Sequence, residues 1–299
     1  MNSIVKNTEN NSKIKLDSEK KNLYENSLVL SKLEIDENLP NTPVIEAYLP
    51  DSEIPVAAKS ILKFLEQMNI FPVVYEGEND GRLIRHVVPK ASNSDVVSSH
   101  GSLLTFFPHV DNPDLKLRYE TDHWITTPCP DTLSLFCLKN QPDVFTSLIK
   151  LDDVLNDLSD KAINILKVAK FSVYRPASFG KDQLVTHELP LLVENDNGDM
   201  ISRFDFHNVK SSDDISSYAL EEFKRSVLDR NKWVHYDLQP GECITFDNQK
   251  YLHSRNNFIP LEDGNARWLL RVFGLYQKPL LNMSINSDIH HLKTFNSVG

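Results

Sequence analysis

The sequence predicts a mainly β fold: a β-sandwich or jelly-roll core with flanking α-helices. Three observations carry that prediction. From residue 71 onward the chain breaks into short apolar or alternating runs, among them FPVVYE, RLIRHVV, SLLTFF, TLSLFCL, TSLIKL and RWLLRVFGLY. Asp, Asn, Pro and Gly separate these runs, as turn residues do. Helical periodicity is confined to a few stretches. No internal repeat and no linker divides the chain. Residues 21–299 therefore read as one domain, with a helical buttress over about 21–70 and the β core over about 71–278.

Taken in order, residues 1–20 are rich in Asn, Lys and Ser and read as a frayed or disordered terminus. A helix is predicted over about Leu23 to Leu33. A firmer one follows Asp51-Ser52, where Ile54, Ala57, Ala58, Ile61, Leu62, Leu65 and Met68 recur at helical spacing. Within the β region two more helical stretches are expected. One covers Asp152 to Val168. The other begins at the cap signal Ser211-Ser212-Asp213 and carries Ile215, Tyr218, Ala219, Phe223 and Val227 on one face. The remaining runs, FSVYRP, LPLLVEN, RFDFHNV, WVHYDL and ECITFDN, read as short strands.

Composition excludes several classes of function. The chain has nine glycines in 299 residues, where average usage near 7% would give roughly twenty-one. None of them forms G-x-G-x-x-G or opens G-x-x-x-x-G-K-[ST]. The backbone cradles of dinucleotides and triphosphates are therefore missing, and a cofactor must be held by side chains. A net charge of −10 argues against a nucleic-acid partner. No apolar stretch is long enough for a membrane span, and the polar terminus does not resemble a signal peptide. The cysteines, Cys129, Cys137 and Cys243, fit neither a C-x-x-C site nor a disulfide framework, so the cytoplasm is the expected compartment.

The chemistry is carried by histidines and arginines. H-x-[DE] occurs twice, as His109-Val110-Asp111 and His235-Tyr236-Asp237, and the motif alone is weak. His109 ends an apolar run and opens into a loop, whereas His235 sits inside an alternating strand. Downstream, a Pro-Gly-Glu turn starts a strand that ends at Asp247-Asn248. His253 follows, and after a short loop comes a strand with Arg267 and Arg271. Two histidines and one carboxylate can occupy one face of an iron(II) ion and leave three positions open for a chelating cosubstrate and O₂. A nearby arginine can pair bidentately with the far carboxylate of such a cosubstrate.

With these residues in place, the sequence resembles the iron(II)/2-oxoglutarate oxygenases, in the clavaminate-synthase-like (TauD/TfdA-type) branch that includes arginine hydroxylases. The resemblance covers about residues 80 to 278. It rests on H-x-[DE] at His109 and Asp111, Pro130-Asp131 before an apolar strand, Thr146, Asp247-Asn248, His253, and arginines fourteen and eighteen residues beyond that histidine. It implies a double-stranded β-helix. By position it implies iron(II) on His109, Asp111 and His253, and the distal carboxylate of 2-oxoglutarate on Arg267 and Thr146. Arg271 would take the carboxylate of an amino-acid-like substrate. The implied reaction consumes O₂ and yields succinate, CO₂ and a hydroxylated substrate. A carboxylate at Asp111 favours hydroxylation over halogenation, since related halogenases carry a small residue there.

The chain departs from the pattern in one place. About ten extra residues lie between Asp111 and Pro130, so counting back from Pro130 puts Glu120-Thr121-Asp122 in the motif slot. Asp111 is preferred as the carboxylate ligand, with Asp122 as the alternative. Glu120, Asp122 and Asp205 are also the acidic candidates for a cationic substrate, such as a lysine- or arginine-type amino acid. Each of them could equally be a solvated or ion-paired surface acid. Arg255 receives no catalytic role. Two rival readings use the same residues: a non-catalytic jelly-roll binding protein, and a zinc hydrolase that would leave Arg267 and Arg271 unexplained. The oligomeric state is not predicted.

Overall fold

A computed structural model describes residues 2–90, 102–121, 125–175 and 184–294. The chain opens with helix α1 (Asn2–Asn26), strand β1 (Leu28–Lys32) and helix α2 (Pro55–Gln67). Strands β2 (Phe71–Tyr75), β3 (Arg85–Val87), β4 (Phe106–His109), β5 (Thr132–Lys139) and β6 (Thr146–Lys150) follow, then helices α3 (Leu151–Leu155) and α4 (Asp160–Leu166). Next come β7 (Phe171–Tyr174), β8 (Val185–Leu189), β9 (Leu192–Glu194), β10 (Met200–Ser202), β11 (Val209–Ser211) and helix α5 (Asp214–Val227). The chain finishes with β12 (Trp233–Tyr236), β13 (Glu242–Asp247), β14 (Tyr251–Arg255), β15 (Trp268–Leu275), β16 (Ser284–Ile285) and β17 (Asp288–Leu292). The fold is mainly β, as expected. Among the described residues, no helix is long and apolar enough to cross a membrane.

Two sheets make the body. The larger runs β1-β13-β5-β15-β2-β17-β16, with β3 also paired to β15, and the smaller runs β12-β6-β14-β4. Alternation along β5 and β15 explains why the large sheet is apolar on both faces. Leu133, Leu135, Cys137, Leu269 and Phe273 join a core shared with Leu148 and Leu252 of the smaller sheet. Phe136, Leu138, Trp268, Leu270 and Val272 join a second core under α2, which contributes Ile54, Ala57, Ile61 and Leu65. Odd-numbered positions of β15 therefore face the space between the sheets, and Arg271 is one of them. Gly274 marks the tightest packing on this strand, because a Cβ there would collide with Ile70 Cγ2 and Thr132 Oγ1.

Several expectations need correction. The polar terminus read as frayed lies in α1, whose C-terminal half is tied down by buried Leu23 and by Leu16 against the α2 core. The helix expected over Leu23 to Leu33 stops at Asn26. Ser27 adopts φ +62°, and Leu28–Lys32 instead pairs antiparallel with β13, burying Val29 and Ser31. The stretch Asp152 to Val168 is two helices, because Ser159 starts a new one by accepting a hydrogen bond from Ala162 N. In α5 the Asp213 cap is present and Ala219, Phe223 and Val227 are buried, but Ile215 and Tyr218 are exposed. RFDFHNV, read as a strand, is mostly a turn carrying one bridge at Asp205. The β structure also continues past residue 278, where β17 pairs parallel with β2.

Candidate metal centre

Strand pairing builds the centre. β14 pairs antiparallel with β4 so that His253 lies directly opposite His109, and opposite residues share a face. Their ring centroids are 4.0 Å apart. Asp111 follows two residues later, in a loop clamped by the Asn248 side chain. Asn248 Oδ1 accepts from Asp111 N at 3.0 Å, and Asn248 Nδ2 donates to Asp111 O at 3.0 Å and Pro130 O at 3.1 Å. The adjacent Asp247 accepts from Gln249 N at 2.9 Å and from Arg118 Nη2 at 2.7 Å. The Asp-Asn pair thus ties the end of β13 to the loop that carries the carboxylate.

His109 Nε2 is 3.4 Å from Asp111 Oδ1, and His253 Nε2 is 3.8 Å from Asp111 Oδ2. One ligand atom from each of the three lies within 4.8 Å of the others. His109 Nδ1 sits 2.8 Å from Phe107 O, so the ring donates there and, when neutral, leaves the Nε2 lone pair free to bind a metal. That Nε2 is buried with no hydrogen-bond partner among the described residues. Burial, then the neighbouring His109, holds the His253 pKa down to about 3, which keeps it the neutral imidazole a metal requires. Burial opposes charge on Asp111, but Arg271, His253 and His109 outweigh it and keep the carboxyl well below the ordinary carboxylate range. Two imidazoles and a carboxylate on one face fit a divalent metal with open positions. It is Asp111 that converges here; Asp122 lies outside the described residues.

Both arginines line the same space. Arg267 Nη2 donates to Thr146 Oγ1 at 3.0 Å, and Arg267 is only 5% exposed. Arg267 forms no ion pair among the described residues, and burial lowers its pKa to about 10. Arg271 Nη1 donates to Asp111 Oδ2 at 3.3 Å, and its Nη2 pairs with Glu78 Oε1. Sequence reasoning missed Glu78. It is 3% exposed, its Oε1 also accepts from Arg85 Nη1 at 3.3 Å, and its Oε2 is buried without a partner among the described residues. In YEGEND it looks like one acid of a solvated turn, and no local pattern distinguishes it.

The other acidic candidates are occupied elsewhere. Glu120 pairs with the fully buried Arg203 and accepts from Leu117 N at 2.7 Å. Arg203 also donates to Pro113 O and Leu115 O, so this pair braces the extra residues after Asp111. Asp205 forms an isolated bridge with His109, but its carboxylate accepts from His207 N, Asn208 N and Asn208 Nδ2 and holds its own turn. Arg255, given no role in sequence, is 7% exposed on β14. His235 is exposed and bonded to Ser147 Oγ at 2.7 Å, consistent with a surface position.

Residues 93–273 match the model of the taurine catabolism dioxygenase TauD, TfdA family. The chain belongs to this dioxygenase family. Among curated proteins, it is 26% identical to the L-lysine 3-hydroxylase of Catenulispora acidiphila over 259 residues, 84% of this chain and 67% of that one. It is 29% identical to the L-asparagine oxygenase of Streptomyces coelicolor over 208 residues, 68% of this chain and 57% of that one. Among solved structures, asparagine oxygenase with Fe(II), 3-hydroxyasparagine and succinate superposes with a TM-score of 0.80 at 24% identity, covering 93% of this chain and 83% of that one. The non-heme iron oxygenase OrfP with Fe and alpha-ketoglutaric acid gives 0.74 at 20% identity, covering 93% and 85%. These likenesses show a shared fold, and family membership bears out the resemblance read from His109 to Arg271.

Proposed function

We propose that this TauD/TfdA-family chain is an iron(II)- and 2-oxoglutarate-dependent dioxygenase that hydroxylates an unactivated C–H of a free amino acid or close derivative. The two facing sheets would form a double-stranded β-helix around the site, in a cytoplasmic enzyme. One observation carries the reading: His109, Asp111 and His253 converge while Arg267 with Thr146 and Arg271 with Glu78 line the same space. Bound iron(II) with 2-oxoglutarate and O₂ would supply the oxidant, releasing succinate and CO₂. Arg267 and Thr146 would anchor the distal carboxylate of the cosubstrate. Arg271 would take the substrate carboxylate in a charge-assisted pair. The free Glu78 Oε2, one atom away from the Arg271 contact, would receive the substrate ammonium, so the pair reads both ends of a zwitterion.

The relatives carry names of enzymes acting on lysine and asparagine, which supports an amino-acid substrate here. A lysine- or arginine-type side chain was expected from Glu120, Asp122 and Asp205. With Glu120 on Arg203 and Asp205 in its turn, that part of the reading now leans on Asp122. The test is to incubate the protein with iron(II), 2-oxoglutarate and a panel of cationic, neutral and acidic amino acids, together with their amides and N-acetyl forms. Succinate release stimulated by free amino acids is the expected result. Stimulation only by compounds lacking a carboxylate would overturn the assignment of Arg271.

A further inference from the structure

Three consecutive residues, Asp247, Asn248 and Gln249, hold segment 111–118 at both of its ends. At the start Asn248 grips the backbone of Asp111, accepting from its N at 3.0 Å and donating to its O at 3.0 Å. Seven residues on, Arg118 N donates to Gln249 Oε1 at 3.0 Å, and Arg118 Nη2 donates to Asp247 Oδ2 at 2.7 Å. Arg118 stands among the extra residues between Asp111 and Pro130, so no element of the family pattern marks it.

Arg118 also reaches a second acid. Its Nη1 donates to Asp131 Oδ1 at 2.9 Å. Asp131 in turn holds backbone on two sides, accepting from Asn248 N at its O and from Tyr276 N at Oδ2, each at 2.9 Å. Asp247 uses Oδ1 in the same way, on Gln249 N at 2.9 Å and Lys250 N at 3.1 Å. Each carboxylate therefore fixes backbone with one oxygen and meets Arg118 with the other. Both acids are buried. Burial raises the Asp131 pKa, Arg118 opposes that rise and Asp247 adds to it, so the carboxylates repel one another and the guanidinium offsets the repulsion. A planar fork meets two carboxylates at once, one through each Nη. Left without their cation, the two buried acids would separate or take up a proton. Either response moves the turn that carries Asn248, the residue that holds Asp111.

We propose that Arg118 is a positioning residue for the metal centre: by bridging Asp131 and Asp247 it holds Asn248, and through Asn248 it holds Asp111 where the metal is received. The proposal rests on the reading of Asp111 as a ligand of iron(II). Arg118 acts indirectly, through one shared residue. Its effect and that of Asn248 therefore overlap and do not add.

The test is anaerobic calorimetric titration of the metal-free, full-length protein with iron(II), for the native chain, Arg118→Met, Asn248→Ala and the double variant. Methionine keeps much of the apolar stem of the arginine and removes its charge. Arg118→Met is expected to weaken iron(II) binding on the order of tenfold, as loss of an outer-shell contact does. The double variant should bind iron(II) less than about twofold more weakly than Asn248→Ala alone, since both substitutions release one clamp. Full multiplication of the two losses would overturn the proposal. So would a folded Arg118→Met with native iron(II) affinity and only a lowered melting temperature, the result of a purely structural role. If Arg118→Met does not fold, Arg118→Lys replaces it in the cycle, because one ammonium keeps the charge and loses the fork. A smaller loss that again overlaps with Asn248→Ala is then expected, and native affinity overturns the proposal. Asp111→Ala tests the centre separately: undiminished iron(II) affinity in that variant would sink the reading of Asp111 as a ligand, whatever Arg118 does.

Discussion

Arg271 Nη1 donates to Asp111 Oδ2 across 3.3 Å, so the arginine assigned to the substrate touches the carboxylate assigned to the metal. A substrate carboxylate held by Arg271 would therefore lie within one side chain of the metal centre. Arg267, immediately before β15, instead bonds Thr146 and has no described acid beside it.

Arg271→Gln is expected to lower kcat/KM for the amino-acid substrate by roughly 10- to 100-fold, the range for loss of charge-assisted hydrogen bonds. Affinity for 2-oxoglutarate, measured anaerobically, should hardly change. A loss of 2-oxoglutarate binding equal to the loss of kcat/KM would show that the two arginines do not divide the work.

Asn248→Ala removes the amide that clamps Asp111 N and O. Outer-shell groups of this kind are worth on the order of 10- to 100-fold in metal affinity. Iron(II) affinity by calorimetry should fall by that amount while the melting temperature moves only a few degrees. Unchanged iron affinity would mean that the Asp111 loop is held by its other contacts.

Glu120→Ala leaves the Arg203 guanidinium buried without its carboxylate. Breaking a buried pair by removing one partner costs about 3–5 kcal/mol. Chemical denaturation should report that loss, and the KM of the folded fraction should be unaltered. A variant of native stability with a raised KM would return Glu120 to the substrate.

His86 lies under α2, away from the metal centre, and its Nδ1 accepts from Trp268 Nε1 at 3.0 Å. Burial, then Arg82, lowers its pKa to about 4. Because the folded-state pKa is depressed below the ordinary 6.5, this contribution is complete above pH 6.5 and declines as pH falls toward 4. Denaturation at pH 7 and pH 5 should differ by about 2 kcal/mol from this residue, and His86→Phe should flatten that slope. The same slope in the variant would assign the acid sensitivity to other groups.

The α2 stripe and the Asp213 cap were legible in sequence because each is a local pattern whose partners lie within a few residues. The β1 strand was not. Leu28–Lys32 has both helical and strand character, and what decides it is the exposed edge of β13, more than 200 residues away. RFDFHNV failed in the opposite way: its alternation suggests a strand, but the Asp205 carboxylate bonds the backbone of its own turn instead.

By itself, the sequence determined the mainly β class, the order His109, Asp111, His253, and the spacing from that last histidine to Arg267 and Arg271. These survive translation into structure because they depend on short-range order along single strands and loops. Only the tertiary structure decided which partners the candidate acids meet. Glu78 reaches Arg271 from another part of the chain, while Glu120 and Asp205 turn to Arg203 and to their own backbone. A carboxylate's role depends on which cation or amide it meets. Strand register and buried charge pairing settle that meeting, and both are properties of contacts distant in sequence.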